Sequence, residues 1–147
     1  EAISVFKKAL SLNKNHAGAR FNLGVVYSEK GMTSEAIDEY NEALRLTPND
    51  LSALYNRGVL YLQNGRLNGA TADMKKIIEI NPKLSAAHHK LGDVYQKQGH
   101  FDDAIAEYKR ALEISPDLKE ALTSLEEAYR LKEKKAKNQG GRGIRKR

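Results

Sequence analysis

The tripeptides Leu23-Gly24-Val25, Arg57-Gly58-Val59 and Leu91-Gly92-Asp93 stand 34 residues apart, and the chain around each repeats with them. Three residues after each glycine comes a tyrosine (Tyr27, Tyr61, Tyr95), and seven after it another glycine (Gly31, Gly65, Gly99). Twelve after it stands an alanine (Ala36, Ala70, Ala104), and 24 after it a proline (Pro48, Pro82, Pro116). A constant period of this length means small, equivalent units that bury their apolar faces against one another. The question of function therefore moves from a catalytic centre to the surface that such a stack leaves open.

Each unit reads as two helices, so the expected fold class is all-α. First helices are expected near residues 17–30, 51–64 and 85–98, each closed by Gly31, Gly65 or Gly99 supplying a positive φ. Second helices are expected near 33–46, 67–80 and 101–114, with Pro48, Pro82 and Pro116 preventing continuation. Apolar residues recur at three- and four-residue spacing within them, as in Ala36, Ile37, Tyr40, Ala43 and Leu44. Gly24, Gly58 and Gly92 fall mid-helix, where glycine costs about 1 kcal/mol relative to alanine. A close helix crossing would explain them, with Ala36, Ala70 and Ala104 as the expected small residues opposite.

On these residues the chain resembles the tetratricopeptide-repeat (TPR) family, built from 34-residue helix-turn-helix units with small residues at the crossing and a terminal proline. The resemblance implies an α-solenoid, a right-handed superhelix whose concave groove is lined by the first helices. Residues 17–50, 51–84 and 85–118 are three full copies. Residues 1–16 are expected to be the second helix of a truncated copy, with Ala2, Phe6 and Ala9 in the places of Ala36, Tyr40 and Ala43. Residues 119–137 are expected to form a C-terminal capping helix, and 138–147 a basic, disordered tail. The bare second helix at the start, with Ile3, Phe6 and Leu10 partly uncovered, suggests a fragment of a longer array or a self-association surface.

Two departures mark the middle copy. Arg57 replaces the leucine of Leu23 and Leu91, and Ile77 replaces the alanine of Ala43 and Ala111. Arg57 is expected to meet Asp73 between the paired helices. Gly69 is expected to weaken the second helix of that copy.

Charge is unevenly spread. From Lys132 to Arg147 eight basic residues face one acid, so this stretch carries +7 of a net +6 and leaves −1 for the remainder. A nearly neutral body disfavours a nucleic-acid-binding helical repeat, although the basic end keeps that alternative open. No run of apolar residues is long enough to cross a membrane. The chain has no cysteine, which excludes disulfides and thiolate metal sites and leaves the compartment open, with the cytoplasm favoured.

Function is expected on the first helices. Helical phase directs Phe21, Asn22, Val25 and Ser28 into the groove from the first copy, and Tyr55, Asn56, Val59 and Leu62 from the second. The third offers Ala86, His89, Lys90, Asp93 and Lys97. Asn22 and Asn56 stand one period apart, and an amide both donates and accepts, so two such rungs can grip a peptide backbone without reading its sequence. This is similar to the asparagine ladder of TPR superhelices attached to sugar-transferring enzymes, although Lys90 interrupts it. The carboxylate clamp of chaperone-binding TPR domains is matched only by Asn56 and Lys90, with Phe21, Val25 and Ala86 in the other three places.

Catalytic and metal-binding readings are weak. His89 and Asp93 lie one turn apart but lack a third ligand. Asp102, Asp103 and Glu35 fall in first turns, where negative charge complements the helix dipole. The expectation is a non-catalytic scaffold without cofactor that binds a peptide or helix of a partner protein. The residues expected to carry it are Phe21, Asn22, Val25, Tyr55, Asn56, Val59, His89, Lys90 and Lys97. A self-assembling structural array is the further alternative.

Overall fold

A computed structural model describes residues 1–144. It contains eight α-helices and, among the described residues, no strand. They are α1 (Ala2–Leu12), α2 (Ala17–Glu29), α3 (Thr33–Leu46), α4 (Leu51–Gln63), α5 (Leu67–Ile80), α6 (Ser85–Lys97), α7 (Phe101–Ile114) and α8 (Lys119–Ile144). The chain divides between Pro82 and Lys83 into two compact units, the first holding α1–α5 and the second α6–α8.

Local chemistry sets the helix ends. Gly31, Gly65 and Gly99 have φ of 73°, 73° and 77°, the left-handed conformation that turns the chain after each first helix. At the start of α4, Asp50 Oδ1 accepts from the amides of Ser52 (3.0 Å) and Ala53 (3.1 Å). Second helices α3, α5 and α7 end two residues before Pro48, Pro82 and Pro116, because the residue preceding a proline is pushed out of the helical region. Glu35 lies in the first turn of α3, and Asp102 and Asp103 in that of α7, where their charge faces unpaired amide dipoles.

The mid-helix glycines do admit a close crossing, but not against alanine. A Cβ at Gly24 would lie 2.8 Å from Tyr40 Cε1, and one at Gly92 would lie 2.5 Å from Tyr108 Cε1. The glycines are gaps through which the second-helix tyrosines pass, and both rings are fully buried. A methyl group would have to displace a ring, which typically costs 1–3 kcal/mol of overpacking and outweighs the ~1 kcal/mol of helix propensity gained. In the middle copy Met74 takes the ring's place, its Cε 2.6 Å from a Cβ on Gly58. Gly69 also has a packing reason that the sequence concealed, since its Cβ would meet the Tyr61 ring at 2.9 Å.

Each second helix carries an acid at the same register, Glu39, Asp73 or Glu107, and each acid meets a cationic or ionisable group on the preceding first helix. Arg20 Nη1 lies 3.0 Å from Glu39, and His88 Nδ1 2.7 Å from Glu107. The middle copy has Leu54 at that place, and the partner moves three residues along to Arg57. Its guanidinium holds Asp73 at two points, Nε to Oδ2 at 2.9 Å and Nη2 to Oδ1 at 2.6 Å, as expected from the sequence. Nη1 also donates to Asn41 Oδ1 at 2.9 Å, and the group lies 5.6 Å from the Tyr61 ring centre.

The two ends differ in part from the expectations. Of the α1 residues expected to be partly uncovered, Ile3 and Phe6 are half-buried as anticipated and Leu10 is buried, while Val5 and Leu12 are 63% and 83% exposed. At the other end α8 continues as one helix through Asn138–Gly141 to Ile144, where a disordered tail was expected. It packs through Ala121, Leu125 and Ala128, with Ala128 joining Ala104, Ile105 and Tyr108 in one core. From Lys132 to Arg142 the helix is exposed throughout, and side-chain bonds to the start of α7 accompany it. Lys132 Nζ lies 2.7 Å from Asp102, and Lys135 Nζ donates to the Gly99 carbonyl at 3.2 Å beside the Phe101 ring. The last three residues of the expected tail, Arg145, Lys146 and Arg147, lie outside the described residues.

Candidate functional site

In the first unit a shallow open cleft of about 190 Å³ runs between α2 and α4. Its apolar lining includes Val25, Tyr55 and Val59, and its polar lining includes Glu29, Tyr40 and Asn56. Val25, Tyr55, Asn56 and Val59 are thus brought together as the sequence predicts. Phe21 and Asn22 are not in the lining. Phe21 packs beside the Tyr40 ring with centroids 5.8 Å apart, and Asn22 is exposed without a hydrogen bond among the described residues. The two asparagines are therefore unequal rungs. Leu62 is 7% exposed and turned into the core, so it contributes nothing to the groove.

Tyr40 is the residue that sequence reasoning missed. It belongs to a second helix, whereas the resemblance implies a groove lined by first helices, yet the gap at Gly24 lets its ring cross to the first-helix side. There the hydroxyl meets Asn56, whose Nδ2 donates to it at 3.3 Å. Burial raises the Tyr40 pKa above the ordinary phenol value, the Asn56 bond offsets part of this, and the Glu29 charge adds to the rise. The phenol keeps its proton at neutral pH, and that proton has no acceptor among the described residues. The recurring Gly24–Tyr40 spacing of 16 residues was the available signal, because only a large side chain passing the glycine makes the gap necessary.

The second unit treats the equivalent tyrosine differently. The Tyr108 hydroxyl donates to Asp93 Oδ1 at 2.8 Å, and burial followed by that carboxylate pushes its pKa far up. Asp93 also takes Lys90 Nζ at 3.4 Å, so the cation expected to colour this face is paired within its own helix. His89, expected to line a groove, is instead 9% exposed, with its ring 5.7 Å from that of Tyr108 and Nε2 3.0 Å from Ser124 Oγ of α8. The cause is α8, which covers this face of α6. Lys97 is exposed, as expected.

The grouping of Ser124, His89 and Asp93 superficially suggests a nucleophile relay. Both Ser124 Oγ and Asp93 Oδ1, at 3.0 and 3.6 Å, approach the same nitrogen, Nε2. A relay needs the acid on the opposite ring nitrogen, so the trio cannot pass a proton from serine to carboxylate through the imidazole. Among the described residues no group of three or more His, Cys, Asp or Glu side chains is placed to hold a metal ion. Nor is any described helix long and apolar enough to cross a membrane.

Family models for the tetratricopeptide repeat match residues 5–38, 52–84 and 85–118, and a TPR-repeat model matches 26–65. No curated protein matched the chain. Among solved structures, a crystal structure of MamA protein is 28% identical with a TM-score of 0.83, covering 88% of this chain and 71% of that one. A second MamA crystal structure is 26% identical with a TM-score of 0.76, covering 92% and 89%. The first TPR of Spaghetti (RPAP3), solved bound to the HSP90 peptide SRMEEVD, shares the fold at 24% identity and a TM-score of 0.74, covering 78% and 90%.

Proposed function

Because this chain belongs to the tetratricopeptide-repeat family, we propose that it is a non-catalytic scaffold that holds an extended segment of a partner protein in the α2–α4 cleft. The observation that carries this reading is the Tyr40–Asn56 pair, which keeps a donor and an acceptor unused beside Val25, Tyr55 and Val59. A peptide backbone offers one N–H and one C=O per residue, and an amide–phenol pair can satisfy both without reading the side chain. The apolar walls then supply affinity through burial.

The peptide held by the RPAP3 repeat supports such use of this fold. The ligand class differs, however. Phe21, Val25 and Ala86 replace three of the five polar positions with which chaperone-binding TPR domains grip a terminal carboxylate, so an acid-ended peptide is a poor match. Phe21 supports the cleft by packing on Tyr40, and Asn22 is a candidate contact one turn before Val25. In the second unit Lys97 remains a candidate contact, with Lys90 available only in competition with Asp93.

The test uses peptides selected from a random library on the wild-type protein. Combining Tyr40→Phe with Asn56→Ala should weaken their binding about tenfold, since two hydrogen bonds are worth roughly 0.5–1.5 kcal/mol each. The thermal midpoint should change little, because the double change removes both partners of the Asn56–Tyr40 hydrogen bond and strands neither. Unchanged affinity would remove the cleft from consideration. A second reading, self-association through α1, is favoured by the exposure of Val5 and Leu12.

A further inference from the structure

The cations of the helices that form the α2–α4 cleft are already engaged. Arg20 of α2 lies 3.0 Å from Glu39, and Arg57 of α4 is held by Asp73 and Asn41. Lys30 follows the end of α2 and does not line the cleft, as expected for a residue about 100° further around the helix. Glu29 does line it, is exposed, and makes no ion pair or hydrogen bond among the described residues. Its charge reaches the floor of the cleft, where it is felt by the Tyr40 phenol. The cleft therefore has apolar walls, a protonated phenol and amide at its floor, and one unanswered negative charge at its lip.

We propose, resting on the reading of this cleft as a peptide site, that the segment it takes carries a lysine or arginine within two residues of an apolar side chain, and that Glu29 selects the cation. In an extended chain, residues two apart share one face. The apolar side chain meets Val25, Tyr55 and Val59 while its cationic neighbour reaches Glu29. An acidic residue in the same place faces like charge with no cation on either helix free to offset it. The preference is thus the reverse of that shown by a carboxylate clamp. It depends on one exposed charge, so it is modest and weakens with salt.

The experiment selects random peptides of about twelve residues on three proteins, namely wild type, Glu29→Lys and the double variant Tyr55→Ala/Val59→Glu. The wild-type pool should be enriched several-fold in Lys or Arg placed within two residues of an apolar side chain. A synthetic peptide from that pool should bind about tenfold more weakly when its cation is changed to glutamate, and Glu29→Lys should reverse the order. A cation preference that survives Glu29→Lys overturns the proposal. So does a pool that depends on Val59 yet shows no charge preference, although the cleft then stands as a peptide site. If no selected peptide loses binding on the Tyr55→Ala/Val59→Glu variant, both the selectivity and the site fail.

Discussion

Arg57 stands where the neighbouring repeats have leucine, and its neighbours explain why a guanidinium is tolerated there. It binds Asp73 through two nitrogens, bonds Asn41 with a third, and places the guanidinium over the Tyr61 ring. The Asp73 hydrogen bond is the main cause of a raised Arg57 pKa, with burial acting against it. Asp73 is 4% exposed, so removing its partner strands a carboxylate. Arg57→Leu should therefore destabilise the protein by about 3 kcal/mol in chemical denaturation, the lower end for a broken buried pair. Arg57→Leu combined with Asp73→Leu should recover most of that loss. Equal stability of wild type and Arg57→Ala would show that the pair contributes nothing. The sequence announced this pair because Arg57 breaks the repeat within reach of Asp73, an acid at a register that every second helix keeps. It did not announce Asn41 or Tyr61, which come into reach only through the helix crossing.

At the scale of elements, α8 illustrates how a neighbour decides whether a side chain is a ligand contact or a core residue. His89 occupies a first-helix position of the groove-facing type, yet the added helix buries it against Tyr108 and Ser124. Burial lowers its pKa below about 6.5, with Asp93 and Glu120 opposing the shift and Lys90 reinforcing it. The folded state thus binds this proton less readily than the unfolded chain. The resulting stability is complete above about pH 6.5 and is lost as pH falls towards the lowered folded value. His89→Gln should flatten that part of the stability-against-pH curve relative to wild type, measured by denaturant titration between about pH 5 and 8. Parallel curves for the two proteins would mean that the imidazole is equally protonated in both states. The continuation of α8 past Leu131 was illegible for a different reason. Gly140 and Gly141 lower helix propensity, whereas Lys132 bonds Asp102 of α7, 30 residues earlier, and Lys135 bonds the Gly99 carbonyl just before α7, 36 residues earlier.

For the whole molecule, charge and apolar surface are segregated. The excess of positive charge belongs to residues 132–147, and the remaining chain is close to neutral. Exposed apolar side chains concentrate differently, with Val5 and Leu12 of α1 the most open of the large ones among the described residues. If that face joins copies of the chain, mass in solution should rise with concentration, and Val5→Glu with Leu12→Glu should hold the protein at the mass of one chain. A wild-type mass independent of concentration would leave α1 as an ordinary exposed helix.

Periodicity by itself determined the all-α class, the three positive-φ turns and most helix limits, because each depends on residues close in sequence. Tertiary structure decided what the glycine gaps were for and which faces stayed open. Tyr40 reaches the cleft, His89 leaves the surface, and Gly69 accommodates Tyr61, all through contacts between helices. A helical phase says where a side chain points, but what it meets there depends on the helix packed against it.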